Sequence, residues 1–167
     1  TIAENIARIR ANMAAAAREA GRDPKEILLV GASKMNDAAA CREAIAAGID
    51  VLGENRVQEM TEKMSQNAYD GVPLHFIGHL QRNKVKQVVG KVALIQSVGS
   101  LPLLEAVEKE AEKQERREIK EIAKRERKAA KEAQSQNNTE SPAEQNAEQN
   151  TEQGAAGSQG TQAEQQS

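Results

Sequence analysis

The chain has no tryptophan, one phenylalanine and one tyrosine among its 167 residues. With so few rings, any core must be filled by aliphatic side chains and methionine. Cysteine occurs once, at Cys41, so no intrachain disulfide can form, which fits a reducing compartment. No apolar run approaches the ~20 residues that a membrane-spanning helix needs. The opening "TIAENIARIRANM" mixes acids and bases where a secretory leader carries an apolar centre. A cytoplasmic setting without a membrane partner is therefore expected. With 23 basic and 25 acidic residues, the charge balance gives no reason to expect a polyanionic partner.

Phosphate-cradling motifs are also lacking. "VGKVA" at 89 to 93 has a Gly-Lys pair without the earlier glycine or the following Ser/Thr of a P-loop, and no G-x-G-x-x-G occurs. No metal is expected, because the two histidines and the single cysteine show no ligand spacing. From residue 134 onward there is no Val, Leu, Ile, Met or aromatic side chain, and "AEQN" recurs at 143 and 147. Nothing there offsets the entropy of ordering, so 134 to 167 is expected to be a disordered Gln/Asn/Glu-rich tail.

What is present, up to about residue 100, is a repeated alternation of short apolar runs with helical patterns. Thr1 and Glu4 form a capping box, and Ile2, Ile6, Ile9 and Met13 recur on one helical face that Gly21 closes. "ILLVGAS" at 27 to 33 is apolar without alternation, the pattern of a strand covered on both faces. Asn36 or Asp37 can cap the helix of "AAACREAIAAG". "IDVLG", "LHFIG" and "VALIQSV" read as further strands, with helices in "ENRVQEMTEKMSQ" and "NKVKQVV" between them. Four such units imply an α/β fold with parallel strands and right-handed crossovers, either an open doubly wound sheet or part of a (β/α)8 barrel. A long helix is expected from Leu101, where Leu103, Leu104 and Val107 dock it. It continues as a charged, solvated helix with Glu112/Arg116 and Glu121/Arg125 at i, i+4.

If the strands are parallel, their C-terminal tips share one face, where both architectures build sites. The tips carry Ser33-Lys34, Glu54-Asn55-Arg56, Gly78-His79-Leu80-Gln81 and Ser97-Val98-Gly99-Ser100. Lys34 there either extends its ammonium to water or, near another cation such as Arg56, presents a nucleophilic amine. Asn55 either closes a turn or binds a ligand hydroxyl. His79 reads as a surface residue or an acid-base group, and His75, inside its strand, as a core histidine.

Taken together, "VGASK", "GENRVQE" and "HFIGHLQRNK", in this order and spacing, closely resemble the pyridoxal phosphate homeostasis (YggS) family. "AGRDP" and the opening helix match as well, and the resemblance covers about residues 1 to 113. It implies the first half of a TIM-type barrel related to the N-terminal domain of alanine racemase. It further implies pyridoxal 5'-phosphate held as an internal aldimine on Lys34, with Asn55 beside it and His75 and His79 shaping the cofactor face. The implied role is vitamin B6 homeostasis, with no identified turnover reaction. "MND" follows Lys34 where the family commonly has a Thr or Lys and a Pro.

The resemblance also implies four further strands that bring a phosphate cup and an arginine for the pyridine nitrogen. After residue 118 the only large apolar side chains are Ile119 and Ile122, and a fifth strand cannot be placed. The expected organisation is a half-barrel at 1 to 113, a charged helix at 114 to 133 and the tail at 134 to 167. It suggests a truncated or fused chain with impaired cofactor binding. Two rival readings are an alanine racemase-like fragment and an interaction protein that uses the basic helix 113 to 133. The first would need a tyrosine base, and the sole tyrosine is Tyr69, in a turn. Interspersed charge without a nucleic-acid-binding motif argues against the second. The oligomeric state is not legible.

Overall fold

A computed structural model describes residues 1–137. Contacts divide the chain into a unit of Thr1–Arg117 and a second of Glu118–Ser167. Described elements of the first unit are helix α1 (Ile2–Glu19), a 3-10 turn (Pro24–Glu26), β1 (Val30–Ala32), α2 (Ala38–Ala46), β2 (Val51–Glu54), α3 (Val57–Ser65), β3 (Leu74–Phe76), a second 3-10 turn (Arg82–Gln87) and β4 (Leu94–Ile95). Helix α4 (Leu101–Asn137) starts in this unit.

The starts of the helices follow their caps. Thr1 and Glu4 form the reciprocal capping box that the sequence predicts, and Asp37, rather than Asn36, caps α2 by accepting from the Ala40 amide at 2.8 Å. Two elements are shorter or tighter than their patterns imply. "NKVKQVV" winds into a 3-10 turn instead of an α-helix, and "VALIQSV" pairs as a strand only over Leu94–Ile95.

The four strands are all parallel and lie in sequence order, β1-β2-β3-β4. A doubly wound sheet reverses its order at a switch point, whereas a barrel adds each strand beside the last. The observed order therefore selects the barrel-type architecture. One face of the sheet carries Leu52, Leu74, Phe76 and Ile95, which pack with Cys41, Val57, Met60, Val85, Val88 and Leu103 in a single core. Helix α4 is held there by buried Leu103 and half-buried Val107, and by the Gln114 amide donating to the Val89 carbonyl at 3.0 Å. Leu104, expected to dock, is 48% exposed.

The register pairs Val30 with Val51, Ala32 with Gly53, Gly53 with His75 and His75 with Leu94. By alternation these residues line the other face. That face is open at its edge strands. Leu28 is 61% and Leu94 49% exposed, so the expectation that "ILLVGAS" is covered on both sides fails on this side. In the second unit, 118–137 is the remainder of α4, solvated as its charge pattern implies. Ile119 and Ile122 are exposed, and Glu121/Arg125 and Lys128/Glu132 pair at 3.7 Å. The expected tail differs at its start, since residues 134 to 137 continue α4; the rest of it lies outside the described residues.

Candidate functional site

Parallel order gathers the ends of the four strands along one rim. Lys34 follows β1 as an exposed residue of a turn, and Asn55 follows β2, half-buried. The β-ladder reaches these tips: the Ser33 amide donates to the Gly53 carbonyl and the Ile77 amide to the Glu54 carbonyl, each at 2.8 Å. The strands come so close there that a side chain at Gly78 would place its Cβ 2.1 Å from the Asn55 carbonyl oxygen. Only glycine fits that crossing. The same approach encloses Asn55, whose Oδ1 is buried without a hydrogen-bond partner among the described residues. A buried acceptor left unpaired is costly, and such an atom suits a donor brought by a ligand.

His75 is half-buried on the open face of β3, with Nδ1 3.0 Å from the Gln96 amide nitrogen beyond β4. The amide N–H donates, so Nδ1 accepts and Nε2 carries the proton. This histidine is only partly buried, and it is oriented by a residue just past the neighbouring strand. His79 is exposed, and nothing in the described structure joins it to Lys34 or Asn55. Arg56 does not serve as a dedicated neighbouring cation for Lys34, because its exposed guanidinium pairs with Glu59 at 3.5 Å.

Behind the tips, on the helix-covered side, lies a polar cluster that sequence reading missed. Glu54 is fully buried, and Ser33 and Lys63 are 4% and 7% exposed. Lys63 Nζ donates to Glu54 Oε1 at 2.5 Å and to the Ser33 carbonyl at 2.7 Å. Ser33 Oγ donates to Glu54 Oε1 at 2.8 Å, and Glu54 Oε2 accepts from the Asn55 amide at 3.1 Å. Glu54 and Lys63 are nine positions apart, on a strand and a helix, so no helical pairing rule reveals them. The nearer signal was Glu59/Lys63 at i, i+4, which pair at 3.7 Å.

Two further groups border this cluster. Burial pushes the Cys41 thiol up, an effect the Lys63 charge partly opposes. Burial, then the negative charge of Glu54, pushes the Tyr69 phenol up as well. Its hydroxyl is enclosed and has no hydrogen-bond partner among the described residues. A phenol that holds its proton more tightly in a closed site is not poised to accept one.

The fold and rim thus define a class: a barrel-type parallel α/β protein with an exposed amine at the first strand tip and an unpaired buried amide oxygen at the second. Comparison with known proteins then bears out the resemblance seen in the motifs. No family model matches the chain. It is 40% identical over 110 residues to the pyridoxal phosphate homeostasis protein of Pseudomonas aeruginosa, which covers 66% of this chain and 48% of that protein. It is 44% identical over 90 residues to the protein of the same name from Escherichia coli K12, covering 52% of this chain and 38% of that one. Among solved structures, PipY of Synechococcus elongatus with pyridoxal phosphate bound superposes with a TM-score of 0.58 at 35% identity, over 68% of this chain and 50% of PipY. A Bifidobacterium adolescentis protein described only as unknown gives 0.63 at 33% identity, over 68% and 50%. The chain spans about half the length of the curated relatives and solved structures it matches.

Proposed function

We propose that this chain binds pyridoxal 5'-phosphate at the strand tips and serves vitamin B6 homeostasis, with Lys34 as the residue that bonds the cofactor. The observation that carries the reading is the pairing of an exposed lysine at the first tip with the buried, unpartnered Oδ1 of Asn55 at the second. The residues present fit the group, since this oxygen can accept from a ring hydroxyl while the lysine meets the carbon that reacts. The cofactor when bound supplies an aldehyde that condenses with a primary amine and releases water. Lys34 presents that amine from the turn that follows β1. His75, oriented by Gln96, offers Nε2–H along the same face, and His79 borders the rim.

Binding by this chain is weak. A phosphate is anchored by several charge-assisted hydrogen bonds, each contributing about 1.5 to 3 kcal/mol. Among the tip residues the one guanidinium is that of Arg56, which Glu59 already engages. Titration of the full chain with the cofactor should give a low-affinity absorbance change, and borohydride followed by mass mapping should fix the adduct on Lys34. Lys34→Ala should abolish it. No adduct in the unaltered chain, or the same yield in Lys34→Ala, overturns the proposal.

A further inference from the structure

The cluster behind the rim touches the backbone on either side of Lys34. Lys63 Nζ donates to the carbonyl of Ser33, the residue just before it. Glu59 Oε2 accepts from the amide of Met35, the residue just after it, at 3.2 Å. Met35 sits at a φ of 62°, a left-handed conformation that a non-glycine residue holds only with outside support. The turn has its own contacts as well. The Asn36 amide donates to the Ser33 carbonyl at 3.1 Å, and the Asn36 side chain donates to the Lys34 carbonyl at 3.1 Å. Glu54, which binds Lys63 through Oε1, accepts the Asn55 amide through Oε2. A single connected group, anchored on β2 and α3, therefore grips the peptide links of both rim residues.

We propose that Glu54, Lys63 and Glu59 are positioning residues: acting through backbone contacts, they set where the Lys34 amine and the Asn55 amide stand relative to each other. None of the three needs to touch the ligand. The physical reason is that both strands end here. Past Ser33 and Glu54 the ladder no longer fixes the chain, and the left-handed turn at Met35 would relax if its amide lost its acceptor. A buried pair of charges is a costly way to gain stability, since apolar residues of similar volume often do as well. Its use is better explained by directional bonds that apolar side chains cannot make. This inference rests on the proposed cofactor role of Lys34 for its consequence, though not for the geometry.

The test uses the full chain and separates position from folding. Lys63→Met alone leaves Glu54 as an unpaired buried carboxylate, so the charge-free pair Glu54→Gln with Lys63→Met is the informative variant; thermal unfolding reports its fold. Glu59→Ala removes the acceptor for Met35, and Glu59→Gln restores an oxygen without the charge. Two readouts are taken: amide hydrogen exchange at Met35 and Asn55 without any ligand, and the rate at which pyridoxal is trapped on Lys34 by borohydride. In the folded double variant, which loses the charged acceptor of the Asn55 amide and the Lys63 donor to the Ser33 carbonyl, exchange at Asn55 should accelerate and trapping should slow, each by about tenfold, the change that goes with losing one hydrogen bond to a charged group. Glu59→Ala should accelerate exchange at Met35, whose amide loses its acceptor, and slow trapping, and Glu59→Gln should recover most of both.

Unchanged exchange and trapping in the folded double variant and in Glu59→Ala overturn the inference. If the double variant does not fold, the Glu59 pair decides alone, with equal values for Ala and Gln counting against positioning. If the unaltered chain traps no aldehyde on Lys34, the cofactor proposal fails, and the exchange data still decide whether the three residues fix the turn.

Discussion

The two faces of the four-stranded sheet are made from the same short segments, yet they behave as different kinds of surface. On the helix-covered face, Leu52, Leu74 and Phe76 are buried together with residues of α2, α3 and α4. On the other face the middle strands remain partly covered, with Val51 buried and His75 and Ile77 half-buried, while Leu28, Leu94 and Val98 on or beside the edge strands are exposed. Both faces are apolar in sequence. Helices cross over to only one side in a consecutive parallel sheet, so hydrophobic burial stabilises the unit almost wholly from that side. The rim lies where the two faces meet: Lys34 and Asn55 stand at the strand ends, with Ser33 and Glu54 facing the helices just behind them.

Substitutions should reveal this asymmetry directly. The largest effect is expected for Phe76→Ala, which opens a cavity at a fully buried position. It should lower unfolding stability by about 3 to 5 kcal/mol, measured by urea denaturation. A loss comparable to that of an open-face substitution would break the comparison.

Tyr69 gives an intermediate and pH-dependent effect. Its phenol is pushed up in the folded chain, whereas the unfolded chain ionises near the ordinary value of about 10. Above that pH the unfolded state sheds a proton that the folded state keeps, so stability falls as pH rises past about 10. Below it the contribution is fully present. Tyr69→Phe should flatten the alkaline fall, read from thermal unfolding between neutral and alkaline pH. It should also leave the neutral-pH stability equal or raise it by about 1 kcal/mol, because it removes an enclosed hydroxyl that has no partner among the described residues. An unaltered alkaline profile would show that another group governs it.

The smallest change belongs to the open face. Leu28→Ser or Leu94→Ser should alter stability by no more than about 0.5 kcal/mol, the usual range for exposed positions. A loss several times larger in the same denaturation assay would mean that the open face is covered in solution, and that the comparison describes two buried surfaces.

Much of the scaffold was legible in the residues because local chemistry specifies it. The Thr1–Glu4 box, a cap at Asn36 or Asp37 and the unbroken apolar runs each act over a few positions, and the fold then chose Asp37. The limits of the elements were less legible. "VALIQSV" contains enough apolar residues for a long strand, but the ladder to β3 extends only over Leu94–Ile95. "NKVKQVV" tightened into a 3-10 turn, where Val85 and Val88 still reach the core. At the rim, Lys34 and Asn55 could be nominated as strand ends, while His75 gained its setting from Gln96, 21 positions away. The polar cluster was invisible for the same reason, as Ser33 and Lys63 are 30 positions apart.

By itself, then, the sequence determined the alternation of strand and helix, the parallel α/β class, the lysine at the first strand tip and the three motifs shared with pyridoxal phosphate homeostasis proteins. Those features depend on spacing and residue type within short windows, which the chain carries before it folds. Tertiary structure alone decided which apolar face is covered, which acceptor is left without a donor at Asn55, and how Glu54, Lys63 and Glu59 meet behind the rim. Burial and hydrogen bonding between distant segments depend on how the strands are placed side by side. No local pattern encodes a carboxylate on β2 facing an ammonium on α3 across the backbone of Ser33.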